Sequence, residues 1–327
     1  MEFRTPVNVS PSQHPIGWSH SLLAVGSCFA EVMGLRLLDH KFRAQVNPFG
    51  VIFNPLSVAK LLQLSLAGKE LSSDDLVETP EGWRHFDLHS SLWAHQPEVL
   101  LSQGNQLLRS VQATLLHADW LLLTLGTAFV YRRKRNHHWV ANCHKVAANQ
   151  FTKELLTVEM LAKELGQLLE DLFSANSSLR VVVTVSPVRH TKDTLPLNSV
   201  SKSVLRVVSH QLSERFDRVA YFPAYEIMLD DLRDYRFYQA DMIHPSTVAE
   251  NYIWQQFAQA YFSEGTRKQL QEWHKIRQAL AHRPMHPGTQ THRAFLQQLL
   301  QQLHRLAGTV EVTEEIAQVE RQLAHLG

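Results

Sequence analysis

The sequence predicts an α/β protein built on a parallel sheet covered by helices on both faces. Three observations carry this. Short apolar runs alternate along the chain with segments of helical period, in the order strand, helix, strand, helix, strand, helix, strand, helix, strand. The principal runs end in small-residue breaks, Gly26-Ser27, Gly126-Thr127 and Ser186-Pro187. Such breaks place their residues at the carboxyl edge of a sheet, where α/β proteins bind ligands. Beyond Ser263 the composition shifts to Gln, His, Leu and Arg with no strand pattern. That predicts a domain over 1–262 and a helical extension over 263–327.

Residues 1–17 contain Pro and Ser and read as an extended lead-in. Leu22-Leu23-Ala24-Val25 is a buried-strand signal, and residues 31–40 follow with helical spacing at Val32, Leu35 and Leu38. Residues 42–46 form a second short strand, ending in a loop with two Asn-Pro breaks at Asn47-Pro48 and Asn54-Pro55. Leu56, Ala59, Leu62 and Leu66 mark a helix with Ser57 near its start. Residues 72–81 read as a polar, acidic connection, and 83–93 as an aromatic, histidine-rich stretch without clear period. A helix over 99–117 precedes the clearest strand, Asp119 to Leu125. Residues 129–131 and 138–141 flank Arg132-Arg133-Lys134-Arg135-Asn136, a hairpin with a solvated basic tip. A long amphipathic helix is expected over 151–173, a β-branched strand over 180–185, a helix over 199–216 and a last strand over 219–222. Ser246 then caps a helix over 247–262. The break at Arg283 to Gln290 divides the extension into two helical segments. Their apolar face (Phe295, Leu296, Leu299, Leu303) either folds back or pairs chains into a homo-oligomer.

Composition narrows the function classes. The 327 residues can bury a full core, and 32 Lys plus Arg nearly balance 31 Asp plus Glu. No global field points to nucleic acid or an anionic membrane. There is no run of eighteen apolar residues to span a bilayer, and the start lacks a secretory pattern. Two cysteines argue against a disulfide framework and for free thiols in a reducing cytoplasm, the expected location, although a Cys28–Cys143 bridge is geometrically open.

The chemistry centres on Gly26-Ser27. A strand turning sharply into a helix presents Ser27 beside a helix N-terminus, where it either caps the helix or acts as a nucleophile. A serine nucleophile needs a base and a group to orient that base. Asp241 and His244, three apart in an aromatic-preceded loop after the last strand, fit those roles on the same sheet edge. An oxyanion site is also needed. Its backbone candidates are the N–H groups of Ser27, Gly50, Gly126 and Thr127; the side-chain candidates are Asn47, Asn54 and Asn142.

These residues resemble a known family. Gly26-Ser27-Cys28-Phe29-Ala30 spells the name motif of the GSCFA family, within the SGNH/GDSL hydrolase superfamily. Asn47-Pro48-Phe49-Gly50, Asn142-Cys143-His144-Lys145, Thr184 to His190, Asp234 to Tyr238 and Asp241 to Ser246 also resemble its blocks, over roughly residues 20–262. The resemblance implies a flavodoxin-like three-layer α/β/α (SGNH) fold and an esterase-type site. In that site Ser27 is the nucleophile, His244 the base, Asp241 its orienter and Gly50 an oxyanion N–H. Two departures stand out. Cys28 replaces the superfamily's usual Asp, and Gly126-Thr127-Ala128 replaces Gly-x-Asn, so the oxyanion amide is missing and either Thr127, Asn54 or Asn142 substitutes or the acyl-transfer machinery is weakened.

The expected function is hydrolysis of an acyl ester, one form of it being deacetylation of a carbohydrate, with no cofactor. The partner is then a small-molecule or glycan acyl ester, and neither nucleic acid nor membrane. The missing amide favours the alternative, a weak or inactive SGNH-fold module that binds a glycan or protein. His89, which resembles a family block, is expected to line the pocket with Arg189 and His190, which follow the fourth strand. His85, His89 and His95 with Asp87 raise a metal site, but no His-Glu-x-x-His motif or cysteine pair reinforces it, and none is expected. Cys143-His144 does not read as a catalytic pair, because neighbours in a strand point to opposite faces.

Overall fold

The computed structural model describes residues 4–286 and 288–326. Its strands and helices are β1 (Ser21–Gly26), α1 (Cys28–Asp39), β2 (Arg43–Val46), α2 (Pro55–Leu66), β3 (Leu76–Thr79), β4 (Gly82–His85), α3 (Pro97–His117), β5 (Trp120–Leu125), β6 (Phe129–Arg133), β7 (Trp139–Val140) and β8 (Phe151–Leu155). There follow α4 (Val158–Ala175), β9 (Arg180–Val185), α5 (Leu195–Arg215), β10 (Val219–Tyr221), a short α6 (Ala224–Glu226), α7 (Thr247–Tyr261), α8 (Glu264–Ala281), α9 (Gln290–Leu306) and α10 (Thr313–Ala324).

Five strands form the central sheet in the order β10-β9-β5-β1-β2. In chain order this is 2-1-3-4-5, the flavodoxin arrangement. The pairs run parallel in register, with Val25 opposite Leu123, Leu123 opposite Val183, and Val183 opposite Tyr221. The cause is visible in composition. Leu22 to Val25, Trp120 to Leu125 and Val181 to Val185 are buried throughout, as strands covered on both faces must be. One layer is the row α3, α2, α4 and α5, each packed on the next. Its apolar stripe includes Leu161, Leu165, Leu168 and Leu172 of α4, where Thr157 Oγ1 caps the helix by accepting from Met160 N–H. On α1 and α7, Phe29, Met33, Ile253 and Phe257 are buried outside the core formed by that row. Strand order reverses between β1 and β5, so the crevice expected to hold a ligand opens beyond Gly26 and Leu125.

Three local expectations are corrected. Residues 72–81 are more than a polar connection, because β3 pairs antiparallel with β4 through a two-residue turn, Thr79 opposite Gly82. Val77 and Trp83 turn to opposite faces of this ribbon, Val77 packing on the cluster of Phe86, Val140 and Phe151 and Trp83 on the main core. Residues 151–155 are strand rather than helix. Phe151 to Leu155 pair with β6 in a three-stranded sheet, and the helix starts only past the Thr157 cap. The extension holds three helices rather than two, a second break falling between Leu306 and Thr313.

The chain divides into two compact units. One comprises Ser21–Leu35 and Ala44–Phe257, with the N-terminal residues up to Ser10. The other comprises Pro11–His20, Arg36–Arg43 and the chain from Ala258 onward. In this second unit, Trp18 Nε1 donates to His40 O at 2.6 Å and Trp273 Nε1 to Asp39 O at 2.8 Å. The stripe Leu296, Leu299, Leu303 and Leu306 is buried where α9 meets α8 and α10. Among the described residues no helix is long and apolar enough to cross a membrane.

Candidate active site

Ser27 stands where β1 turns into α1. Gly26 has φ +132°, and a Cβ there would lie 2.1 Å from the Thr124 carbonyl oxygen, so no other residue fits this turn. Ser27 N–H donates to Thr124 O at 3.2 Å, and Ser27 O accepts from Ala30 N–H at 2.8 Å. The hydroxyl caps α1, with Ser27 Oγ accepting from Phe29 N–H at 3.3 Å. Ser27 is 1% exposed, and among the described residues no hydrogen bond joins its hydroxyl to His244.

Asp241 and His244 are brought together. His244 Nδ1 lies 2.7 Å from Asp241 Oδ2, and Asp241 Oδ1 accepts from the backbone N–H groups of Ile243 and His244 at 2.9 and 3.0 Å. The bond from His244, then the two N–H groups, hold the Asp241 carboxyl down to about 2. An Nδ1–H donating to a carboxylate leaves Nε2 as the proton acceptor. Both side chains are well exposed. Arg189 N–H donates to Ile243 O at 3.2 Å, which ties this loop to the chain leaving the carboxyl end of β9. Ser27 leaves the same edge two strands away, roughly 10 Å at the usual spacing of about 4.8 Å per strand.

The oxyanion candidates differ in what they already hold. Gly50 N–H closes a turn on Asn47 O at 2.7 Å, and Gly126 and Thr127 N–H both donate to Phe53 O at 3.0 Å. Asn54 caps α2 through Ser57 N–H at 2.8 Å and donates to Val140 O at 3.2 Å. Asn142 Oδ1 accepts from His144 N–H, and its amide nitrogen has no partner among the described residues. Asn47 Oδ1 accepts from Gly26 N–H at 3.0 Å, and its buried Nδ2 is likewise unpartnered. Asn47 is therefore the amide built into the turn that carries Ser27.

One residue was not anticipated. Lys202 is 1% exposed and faces no carboxylate among the described residues. Its Nζ donates to Gly126 O at 2.8 Å and Ser186 O at 2.7 Å, the strand ends of β5 and β9. From the same face of α5, Ser201 Oγ accepts from Ala128 N–H at 2.8 Å and Asn198 Oδ1 from His190 N–H at 2.9 Å. Burial pushes the Lys202 ammonium down to about 7, partly countered by the Cys28 thiol. The signal was present in the spacing. Asn198, Ser201 and Lys202 continue the helical stripe of Leu205, Val208 and Leu212, which marks them as inward-facing polar groups.

The expected pocket residues separate. His89 packs on Gly50 and bonds Ser91 Oγ at 2.9 Å. His190 Nε2 lies 2.7 Å from Gly126 O, so its ring braces the turn, and burial, then the charge of Lys202, push it down to about 4. Arg189 faces a surface hollow beside the Asp241–His244 loop. Both cysteines are free, and burial pushes the Cys143 thiol up to about 11. Among the described residues no group of three His, Cys, Asp or Glu side chains is placed to hold a metal.

Comparison with known proteins agrees at the level of family. Among solved structures the chain is similar to a Clostridium thermocellum family 3 carbohydrate esterase, at 14% identity and a TM-score of 0.31, covering 77% of this chain and 98% of that one. A likeness at that level carries no argument about fold or activity. No curated protein is similar in sequence. The GSCFA family model matches residues 21–257, and the model for the C-terminal domain of GSCFA domain proteins matches 273–325. On that extent of match, the chain belongs to the GSCFA family.

Proposed function

We propose that this protein is a serine ester hydrolase of the SGNH type, with Ser27 as nucleophile, His244 as base and Asp241 as its orienter. The observation that carries the reading is the 2.7 Å contact between His244 Nδ1 and Asp241 Oδ2, in a loop at the sheet edge from which Ser27 leaves. In the cycle, Ser27 Oγ attacks the ester carbonyl carbon and gives its proton to His244 Nε2. The C–O bond to the alcohol breaks, and the alcohol departs with that proton. Water then attacks the acyl-serine, passing a proton through His244 back to Ser27 Oγ and releasing a carboxylic acid. Neither a cofactor nor a metal enters this cycle.

A second reading is favoured by one observation. Ser27 is buried and its hydroxyl holds a helix cap, as in a fold kept for binding a glycan or protein partner rather than for turnover. A fluorophosphonate probe separates the two, since phosphonylation of Ser27 Oγ with loss of fluoride requires an activated serine. The hydrolase reading expects labelling of the wild type that disappears in Ser27→Ala. A wild type that stays unlabelled rejects it in favour of the binding module.

A further inference from the structure

A hollow of about 150 Å³ lies beside the Asp241–His244 loop, walled by Arg189, Arg233, Tyr235 and Tyr238 and floored by Met228 and Leu229. Its construction is specific. The Arg189 guanidinium stacks over Tyr238 at 3.8 Å from the ring centroid and lies 5.2 Å from that of Tyr235. Its Nη1 reaches Met242 O at 3.4 Å, while the residue's own N–H holds Ile243 O. The wall of the hollow and the carrier of His244 are therefore one piece. Arg233, across the hollow, has no ion pair or hydrogen bond among the described residues. The one carboxylate in the lining, Asp234, accepts from Arg236 N–H at 2.8 Å and from its guanidinium at 2.9 Å, so it does not neutralise Arg233. Tyr235 is 64% exposed and offers a flat apolar face at the rim.

We propose that this hollow binds a carboxylate carried by the substrate, held between Arg189 and Arg233. A stacked guanidinium presents its N–H edge in a fixed plane, which suits two-point contact with a planar carboxylate better than a mobile lysine does. The aromatic rim and the apolar floor accept the carbon skeleton bearing that group. That the bound molecule is an ester rests on the hydrolase reading; the binding of a carboxylate does not. The carboxylate has two chemical sources, an acidic sugar unit or a dicarboxylic half-ester.

Calorimetric titration of the full-length chain at low salt distinguishes them, with trigalacturonate and adipate as probes and the methyl ester of each as control. At least one carboxylate is expected to bind tenfold or more tightly than its ester, and the arm that does so names the source. Arg233→Gln should shrink that ratio below threefold, and Ser27→Ala should leave it intact. If neither carboxylate is preferred threefold, or if the preference survives in both Arg233→Gln and Arg189→Gln, the assignment is wrong. Should Arg189→Gln fail to fold, Arg233→Gln decides alone. Fluorophosphonate labelling reports separately on Ser27, so carboxylate binding without labelling removes the hydrolase reading and leaves this site standing.

Discussion

Lys202 Nζ lies 2.8 Å from the carbonyl oxygen of Gly126, which also receives His190 Nε2 at 2.7 Å. A buried ammonium without a carboxylate is costly, and here its bonds go to backbone oxygens at the ends of two strands flanking the candidate site. Burial holds His190 at about 4, so the neighbouring ring stays neutral near pH 7 and adds no second charge.

The pH dependence of stability follows from that lysine. An unfolded lysine titrates near 10.4, whereas Lys202 in the fold titrates at about 7. Between these values the unfolded chain holds the extra proton, so stability rises with pH; below about 7 both states are protonated and the slope vanishes. Denaturant unfolding from pH 6 to 10 should show the wild type gaining on Lys202→Met by up to about 1.4 kcal/mol per pH unit across the upper range. Parallel curves for the two proteins would mean the ammonium is not displaced in the fold.

Asp241 holds the His244 imidazole by its Nδ1. With its carboxyl held at about 2, it remains ionised through any ordinary assay, so an acid loss of activity above pH 4 belongs to another group. Asp241→Asn keeps the shape but removes the charge and the preference for Nδ1–H. An ester substrate should lose about 10²-fold or more in kcat with little change in KM. An unchanged kcat would detach Asp241 from the reaction.

Much of this architecture is legible in the chain because buried parallel strands are written as continuous apolar runs. Leu22 to Val25, Trp120 to Leu125 and Val181 to Val185 need no context to be recognised. What escapes has no such local signature. Phe151 to Leu155 become a strand because β6 offers an edge, a pairing that a reading limited to helical period does not see. Of the site, the Asp241–His244 contact follows from a three-residue spacing in a turn, whereas Asn54, named among the oxyanion candidates, instead caps α2. For Lys202 the α5 stripe gives the inward direction but not the partners, because Gly126 O and Ser186 O lie 76 and 16 residues away and no local spacing names them.

Asn54 performs two tasks at one position, capping α2 and holding Val140 O. Asn54→Ala removes both, while Val140 O keeps its place in the ladder opposite Tyr131. The helix cap is worth about 1 kcal/mol and the lost amide bond about 0.5–1.5 kcal/mol. Thermal unfolding should shift down by several degrees. Asn54→Asp, which retains the acceptor for Ser57 N–H, should recover part of that loss. A variant as stable as wild type would show that the cap contributes nothing.

The sharpest test of how tightly the site is built is Gly126. A Cβ there would stand 2.6 Å from the Phe53 carbonyl oxygen and 3.1 Å from Ser27 Cβ, closer than packed side chains come. Both neighbours are fixed. Phe53 O accepts the N–H groups of Gly126 and Thr127, and Ser27 is locked by the turn at Gly26 and by its cap on Phe29. Gly126→Ala must therefore move the strand end, stretching its bonds to Lys202 and His190, or push Ser27 from its present position. Overpacking of this kind costs about 1–3 kcal/mol. Its signature is a coupled loss: lower unfolding free energy together with slower fluorophosphonate labelling at Ser27, by tenfold or more. If labelling slows while stability is retained, the methyl group acts on the hydroxyl alone. If stability falls while labelling keeps its rate, the turn at Gly126 and the serine are mechanically separate, and the candidate site is looser than these contacts require.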